Sequence, residues 1–306
     1  MRNLILAVRQ LRRNPGFTAT VIVTLALAIG ANTAIFSIVN ALLVRPLPYP
    51  EPGRMGTIFT EINGAKPYNG RDDIDGAQWE GLRDNVPSLT AATYAEITSG
   101  LNLRTDSTVR YVHDGRVSAK FFDVLGLRLA LGRGFTAEED RPKGPLAVVL
   151  SNGLWRTVFG ADRGIVGKAV RLKSETYTVV GVLPNDAATP LNADLYTPLQ
   201  PTRDGEGEGS NFGVITRLKP GASWQQADAE LNRAWAQQIA RFAAQNKSAH
   251  IRYKSVPLQQ GQASELKPRV LALQLSAGFI LLIACANLAG LTLVRVMRRT
   301  PEIATR

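Results

Sequence analysis

Two long apolar runs bracket this chain. Phe17–Val44 (FTATVIVTLALAIGANTAIFSIVNALLV) runs 28 residues without a charged side chain, and Val270–Val294 runs 25. At 1.5 Å rise per residue, each helix would exceed the roughly 30 Å hydrocarbon core of a bilayer. Both read as transmembrane helices. In the first, Asn32, Thr33, Ser37 and Asn40 fall close to one helical stripe, which either faces other helices or marks where the helix emerges near Asn40. In the second, Ala284, Ala286, Ala289 and Gly290 permit close helix packing, with Cys285 read as one more small packing residue.

Between the runs the pattern shortens and alternates. Met55–Thr60, Ala92–Ile97, Leu101–Arg104, Val109–Gly115, Leu146–Leu150, Lys168–Leu172, Thr176–Val182, Asp194–Thr197, Val214–Leu218 and Ile251–Val256 read as strands. Helical spacing predicts a helix over Asp73–Val86, built on Ile74, Trp79 and Leu82, and short ones over Ser118–Leu125 and Asn152–Phe159. Thr136–Glu139 and Ser223–Gln226 have capping-box spacing, the former with Phe135 as staple residue. Trp224, Ala227, Leu231, Ala234, Trp235, Ile239 and Phe242 share one face of a single predicted helix. The order strand–helix–strand at both ends, with strands between, predicts an α+β domain: two βαβ halves around an inserted strand-rich lobe. Residues 61–73 and 203–211 read as loops, and Arg45–Gly53, with four prolines, as a stiff linker.

Charge orients the runs. The chain has 306 residues and a net charge of +11, but the middle, residues 45–269, holds 28 basic and 24 acidic residues. The excess sits at the ends: Arg2, Arg9, Arg12 and Arg13 without an acid, then Arg295, Arg298, Arg299 and Arg306 against Glu302. This positive-inside pattern puts both termini in the cytoplasm and residues 45–269 outside, and it accounts for the basic balance without nucleic acid. Residues 1–16 read either as an amphipathic interfacial helix or as a plain basic flank. A cleaved signal peptide ending at Ala26–Leu27–Ala28 fits poorly, since the apolar run continues past that point.

No catalytic, cofactor or metal motif emerges. Gly164–Ala169 lacks the spacing and hydroxyl of a phosphate-binding loop. Asp72, Asp73 and Asp75 read as acids at a helix N-terminus, as do Glu138, Glu139 and Asp140. The loop at 204–209 lacks EF-hand spacing. His113 and His250 are the only histidines, and the single cysteine, Cys285, excludes an intrachain disulfide. Trp79, Tyr94, Tyr111 and Trp155 all read as core residues.

Several stretches carry a resemblance: LRRNPG (Leu11–Gly16), LALAIGANTAIFS (Leu25–Ser37), RPLPYPEPG (Arg45–Gly53), VSAKFFDVL (Val117–Leu125), LGRGFTAEED (Leu131–Asp140), VVGVLP (Val179–Pro184) and RVMRRTPEIA (Arg295–Ala304). In this order they resemble the MacB/FtsX-like permeases of ABC transporters, most closely the start of the branch with duplicated permease halves. The resemblance implies a porter-like periplasmic lobe with an inserted strand-rich lobe, in a multi-pass protein of the bacterial inner membrane. It divides the chain into a cytoplasmic segment 1–16, a span 17–44, a periplasmic core 45–269, a span 270–294 and a cytoplasmic coupling segment from 295 to 306. It implies that ATP is bound by a separate cytoplasmic ATPase. The other implied partners are lipid, a second permease half or copy, and an adaptor on the periplasmic side. The expected function is coupling of ATP hydrolysis to periplasmic movement for efflux or mechanotransmission, with no enzyme activity in the chain itself. The family has two further spans after this point, so the resemblance also implies a fragment or truncated product. The alternative is a non-transporting, membrane-anchored periplasmic interaction module.

Overall fold

The computed structural model describes residues 15–40, 47–63, 73–105, 108–204, 211–246 and 250–303. The expected helix at 1–16 lies mainly outside these residues, as do most of the loops at 61–73 and 203–211. The chain divides into two compact units, one of Pro46–Gln262 and one of Met1–Arg45 with Ala263–Arg306.

The second of these contains α1 (Pro15–Val39) and most of α7 (Leu258–Ile303). In α1 the less exposed positions include Thr18, Val21, Leu25, Ala28, Asn32, Ile35 and Val39, spaced alternately by three and four, with Thr24 and Asn40 beside them. In α7 they include Val270, Ala277, Leu281, Ala284 and Leu288. This is a heptad stripe on each helix. The remaining surface is apolar and open, with Ile22, Val23, Leu27, Ile29 and Phe36 on α1 and Phe279, Leu282 and Ile283 on α7. Thr18–Ser37 and Arg269–Gly290 are long and apolar enough to cross a membrane.

The expected polar stripe divides. Asn32 lies on the heptad stripe, while Thr33 and Ser37 are exposed and donate to the carbonyls of Ile29 and Thr33, each at 2.8 Å. A hydroxyl bonded to its own helix needs no neighbour in an apolar medium. Cys285 is likewise exposed, as are Ala286, Ala289 and Gly290, because heptad spacing selects Ala284 and turns the following residues outward.

The unit Pro46–Gln262 is built on a four-stranded antiparallel sheet. Its strands are β1 (Met55–Ile62), β2 (Leu89–Ala95), β10 (Phe212–Leu218) and β11 (Ile251–Pro257), in the order β11-β1-β10-β2. Helix α2 (Gly76–Asn85) joins β1 to β2. Helices α5 (Trp224–Ala234) and α6 (Ala236–Gln245) join β10 to β11. This is the expected pair of split βαβ halves. Local signals set the helix starts. Asp75 closes a reciprocal capping box with Gln78, and Ser223 accepts from the Gln226 amide.

The expected single helix over 224–242 breaks at Trp235. That ring is fully buried, lies 4.5 Å edge-to-face from Tyr253, and donates from Nε1 to the Gln78 carbonyl at 2.8 Å. Its backbone (φ −105°, ψ 22°) leaves the helix and lets α6 restart.

The insert between β2 and β10 holds β3 (Ser99–Arg104), β4 (Val109–Val117), α3 (Phe121–Leu125), β5 (Leu131–Gly132), β6 (Ala147–Leu150), α4 (Asn152–Phe159), β7 (Ala169–Leu172), β8 (Glu175–Val182) and β9 (Leu195–Pro198). Its strands pair in the cycle β4-β3-β7-β8-β6-β9, and β9 returns to pair in parallel with β4. The expected strand-rich lobe is thus a closed six-stranded barrel, in which β3 meets β7 only at Leu103 and Arg104. Leu101, Leu103, Val112, Val148, Val170 and Leu195 fill one core cluster. A second cluster, rich in edge-on aromatics (Tyr94, Phe121, Phe122, Tyr196), contains residues of both lobes.

Thr136–Glu139 makes both capping-box bonds but starts no helix. Pro142 follows closely and disfavours helical backbone before it, while Arg133 draws the Glu139 carboxylate into a two-bond pair at 2.8 and 2.9 Å.

Candidate coupling site at the chain exits

The outer domain receives the chain from residue 47 and releases it after Pro257. These two exits lie side by side, because β1 and β11 are paired neighbours and Gly56 is in register with Pro257. Each exit is fastened by packing. On the incoming side Leu47 and Tyr49 pack on the interlobe aromatic core, and burial pushes the Tyr49 phenol up. On the outgoing side Leu258 enters the same core. Gly261 lies so close to β1 that a Cβ there would stand 2.9 Å from the Phe59 ring.

Two arginines lock the incoming segment. Arg54, in a 3-10 turn (Pro52–Arg54), donates from Nε and Nη2 to the Leu218 carbonyl at 2.9 and 2.7 Å, and from Nη1 to Glu51 at 2.6 Å. Arg217 on β10 donates from Nε to the Val124 carbonyl at 2.7 Å and from Nη1 to the Pro50 carbonyl at 2.8 Å. Its buried Nη2 has no partner among the described residues. Burial, and then the charge of Arg54, pulls the Arg217 pKa below the usual guanidinium range. Pro50 in turn rests on Gly126, whose φ of +72° closes α3; a Cβ there would meet Pro50 Cγ at 3.0 Å. Four of the guanidinium nitrogens of this arrangement are spent on main-chain carbonyls and a fifth on Glu51.

The other singled-out residues have structural positions. Asp75 caps α2, and Asp72 lies outside the described residues. Asp140 is half-buried and accepts from the amides of Ala119 and Gln200 at 2.8 and 3.0 Å; burial pushes its carboxyl up to about 6. Asp114 behaves alike, pushed up to about 6 by burial while accepting from the Thr197 hydroxyl at 3.0 Å. Lys168 of the glycine-containing turn pairs with Asp162 at 2.6 Å. His113 stands 3.3 Å from Asp194, and the His250 amide bonds to Asn63. No group of three His, Cys, Asp or Glu side chains converges among the described residues.

A cleft of about 900 Å³ lies where α2 meets the insert, lined by Trp79, Arg83, Phe135, Asp140, Arg141 and Arg203 among others. Arg83 and Arg203 there already hold Asp84 and Glu80. Trp79, Tyr94 and Trp155 are core residues as expected. Tyr111 is not: it is 64% exposed and its ring covers the space above Gly100 on the neighbouring strand. Arg54, Arg217, Gly126 and Gly261 escaped sequence reasoning, since nothing local separates these arginines from the others or these glycines from turn residues.

Fold and exits together define a split βαβ domain with an inserted barrel, strung between two helices of membrane-spanning length and apolarity. The chain belongs to the MacB-like periplasmic core domain family, whose family model matches residues 18–234. It is similar to the macrolide export ATP-binding/permease protein MacB of Burkholderia pseudomallei, strains 1710b and K96243. With each it is 26% identical over 252 residues, covering 76% of this chain. The chain spans about 37% of the length of these curated relatives. Among solved structures, the periplasmic region of MacB from Actinobacillus actinomycetemcomitans overlaps with a TM-score of 0.45 at 18% identity, covering 71% of this chain and 92% of that one. The extracellular domain of the ABC-type transporter YknZ from Gram-positive bacteria gives 0.41 at 17%, covering 66% and 99%. Family membership rests on the sequence match rather than on these overlaps.

Proposed function

We propose that this chain is the membrane-embedded permease part of a MacB-type ABC transporter, in which a separate cytoplasmic ATPase drives movement of the outer domain. In this reading residues 17–44 and 270–294 span the inner membrane, 45–269 are periplasmic, and 1–16 and 295–306 are cytoplasmic. The carrying observation is the pairing of the two exits: Gly56 and Pro257 are partners in one antiparallel ladder of a family-matched domain. A push on either exit therefore acts on hydrogen-bonded strands at the base of the sheet. The mechanism requires two helix arrangements that bind the ATP-loaded ATPase differently. Lipid, the ATPase, a second permease half or copy, and a periplasmic adaptor are the proposed partners.

Two experiments test this. With Cys285→Ala as background, a cysteine replacing Ile97, which is 82% exposed, is expected to react with an impermeant maleimide in intact cells, and one replacing Asn3 is not. The opposite labelling overturns the orientation. Affinity purification of the full chain from its host is expected to recover an ABC ATPase. Correct labelling without any ATPase would leave the membrane-anchored interaction module in its place.

A further inference from the structure

The outer wall of the barrel brings like charges together. On β3, Leu101 and Leu103 are buried while Asn102 and Arg104 are exposed; on β7, Val170 and Leu172 are buried while Ala169 and Arg171 are exposed. The antiparallel register places Arg104 directly opposite Arg171. Cβ atoms of such partners stand about 5 Å apart, and like charges there destabilise the pair.

Among the described residues neither arginine forms an ion pair, nor does Lys173 in the adjoining turn. Of the described acids nearby, Asp162 holds Lys168, buried Asp114 accepts from Thr197, and Glu175 beyond the turn accepts from the Tyr177 hydroxyl at 3.5 Å. Arg104, Arg171 and Lys173 line a hollow of about 380 Å³ together with Asn102 and Val109, and among the described residues no acid lines it. Beside it on β4 stand two exposed side chains, Val109 (59%) opposite Arg104 and Tyr111 (64%) opposite Asn102.

We propose that this wall of the barrel docks an acidic segment of a polypeptide partner, whose carboxylates are held by Arg104 and Arg171 and whose apolar side chains lie on Val109 and Tyr111. Charge complementarity selects the occupant, since an anion offsets the like charge of the paired arginines, and their planar forks suit carboxylates. Tyrosine and arginine together are also the composition of protein-recognition patches. The hollow is a recess in the wall of a barrel, which suits an extended segment better than the plane of a bilayer. The inference depends on the folded barrel alone and stands apart from the transport reading.

The test uses the full chain in phosphatidylcholine nanodiscs and a fluorescent peptide of alternating glutamate and valine, followed by anisotropy, with its lysine counterpart as control. The glutamate peptide is expected to bind, more weakly as salt is raised, and the lysine peptide not to bind. Arg104→Thr with Arg171→Thr is expected to weaken binding roughly tenfold or more, and Arg171→Lys by less. The melting temperature of Arg171→Thr should equal or exceed that of the parent, which separates lost binding from lost folding. Unchanged binding in the double variant overturns the proposal. So does a fall in melting temperature, which would mean that the arginines are already satisfied internally. Competition by inorganic phosphate or phosphatidylglycerol vesicles at concentrations where a free oligo-glutamate peptide has no effect would reassign the site to phosphate and overturn polypeptide docking.

Discussion

Two arginine pairs occupy the outer domain in opposite ways. Arg54 and Arg217, at the base of the sheet, have four of their guanidinium nitrogens on the carbonyls of Leu218, Val124 and Pro50. Arg104 and Arg171, on the barrel wall, face each other across a ladder, and among the described residues neither forms an ion pair, Asp162 beside them being held by Lys168. The same residue type is structural in one place and open for recognition in the other. The difference lies in what the fold brings to each. Main-chain carbonyls at helix ends and linker bends, with Glu51 beside Arg54, satisfy the first pair, whereas a strand face supplies the second with side chains only.

The largest break in this contrast is expected at Arg217. Arg217→Met keeps the hydrophobic stem but removes two charge-assisted bonds and releases Pro50, costing about 3 kcal/mol, or roughly 6–12 °C in melting temperature for a domain of this size. A melt within a degree or two of the parent would show that packing of Leu47 and Tyr49 suffices to hold the linker.

Asp114 tests the barrel wall from the inside, because it is a buried acid whose charge is felt by Lys173. Burial raises its folded pKa from 3.8 to about 6, so the folded state binds the proton more tightly than the unfolded chain. Its contribution to stability is therefore present below about pH 4 and is lost as pH rises through 6, by roughly 2–3 kcal/mol. Asp114→Asn is expected to flatten that part of the stability–pH curve, read by chemical denaturation between pH 4 and 7. An unaltered slope would place the titration elsewhere, with Asp140 the next group to examine.

A smaller effect belongs to the glycine under Pro50. Gly126→Ala places a Cβ at positive φ against the linker and is expected to destabilise by about 1–2 kcal/mol in a thermal melt. The smallest effect, and the only gain, is expected from Arg171→Thr. Relief of the cross-strand repulsion and a better strand former should add about 0.5 kcal/mol. A loss there would erase the distinction between the two arginine pairs.

Much of the architecture was legible in the residues. Period-two alternation located the strands, and helical spacing located α2 and α5, because both depend on neighbours a few positions away. Caps were equally local: Asp75, Ser151 and Ser223 each accept an amide three residues on. The failures share one cause. Thr136–Glu139 has its capping bonds without a helix, Trp235 interrupts one, and Tyr111 lies outside the core on a strand whose pattern hid it. In each, a distant or following group outweighed the local pattern: Arg133 and Pro142, Gln78 with Tyr253, and Gly100 across the ladder.

By itself, then, the sequence determined the two apolar helices, the basic ends, the α+β class and most element positions, all of which follow from composition and short-range periodicity. Only the tertiary structure decided that β9 returns to β4 to close a barrel, that the chain enters and leaves through paired strands, and which arginines are satisfied. Arg217 meets Pro50, 167 residues away, and Arg104 meets Arg171; no local signal encodes either meeting. Long-range pairing is set by the joint burial of three core clusters, and the fate of each charge follows from the groups that packing leaves beside it.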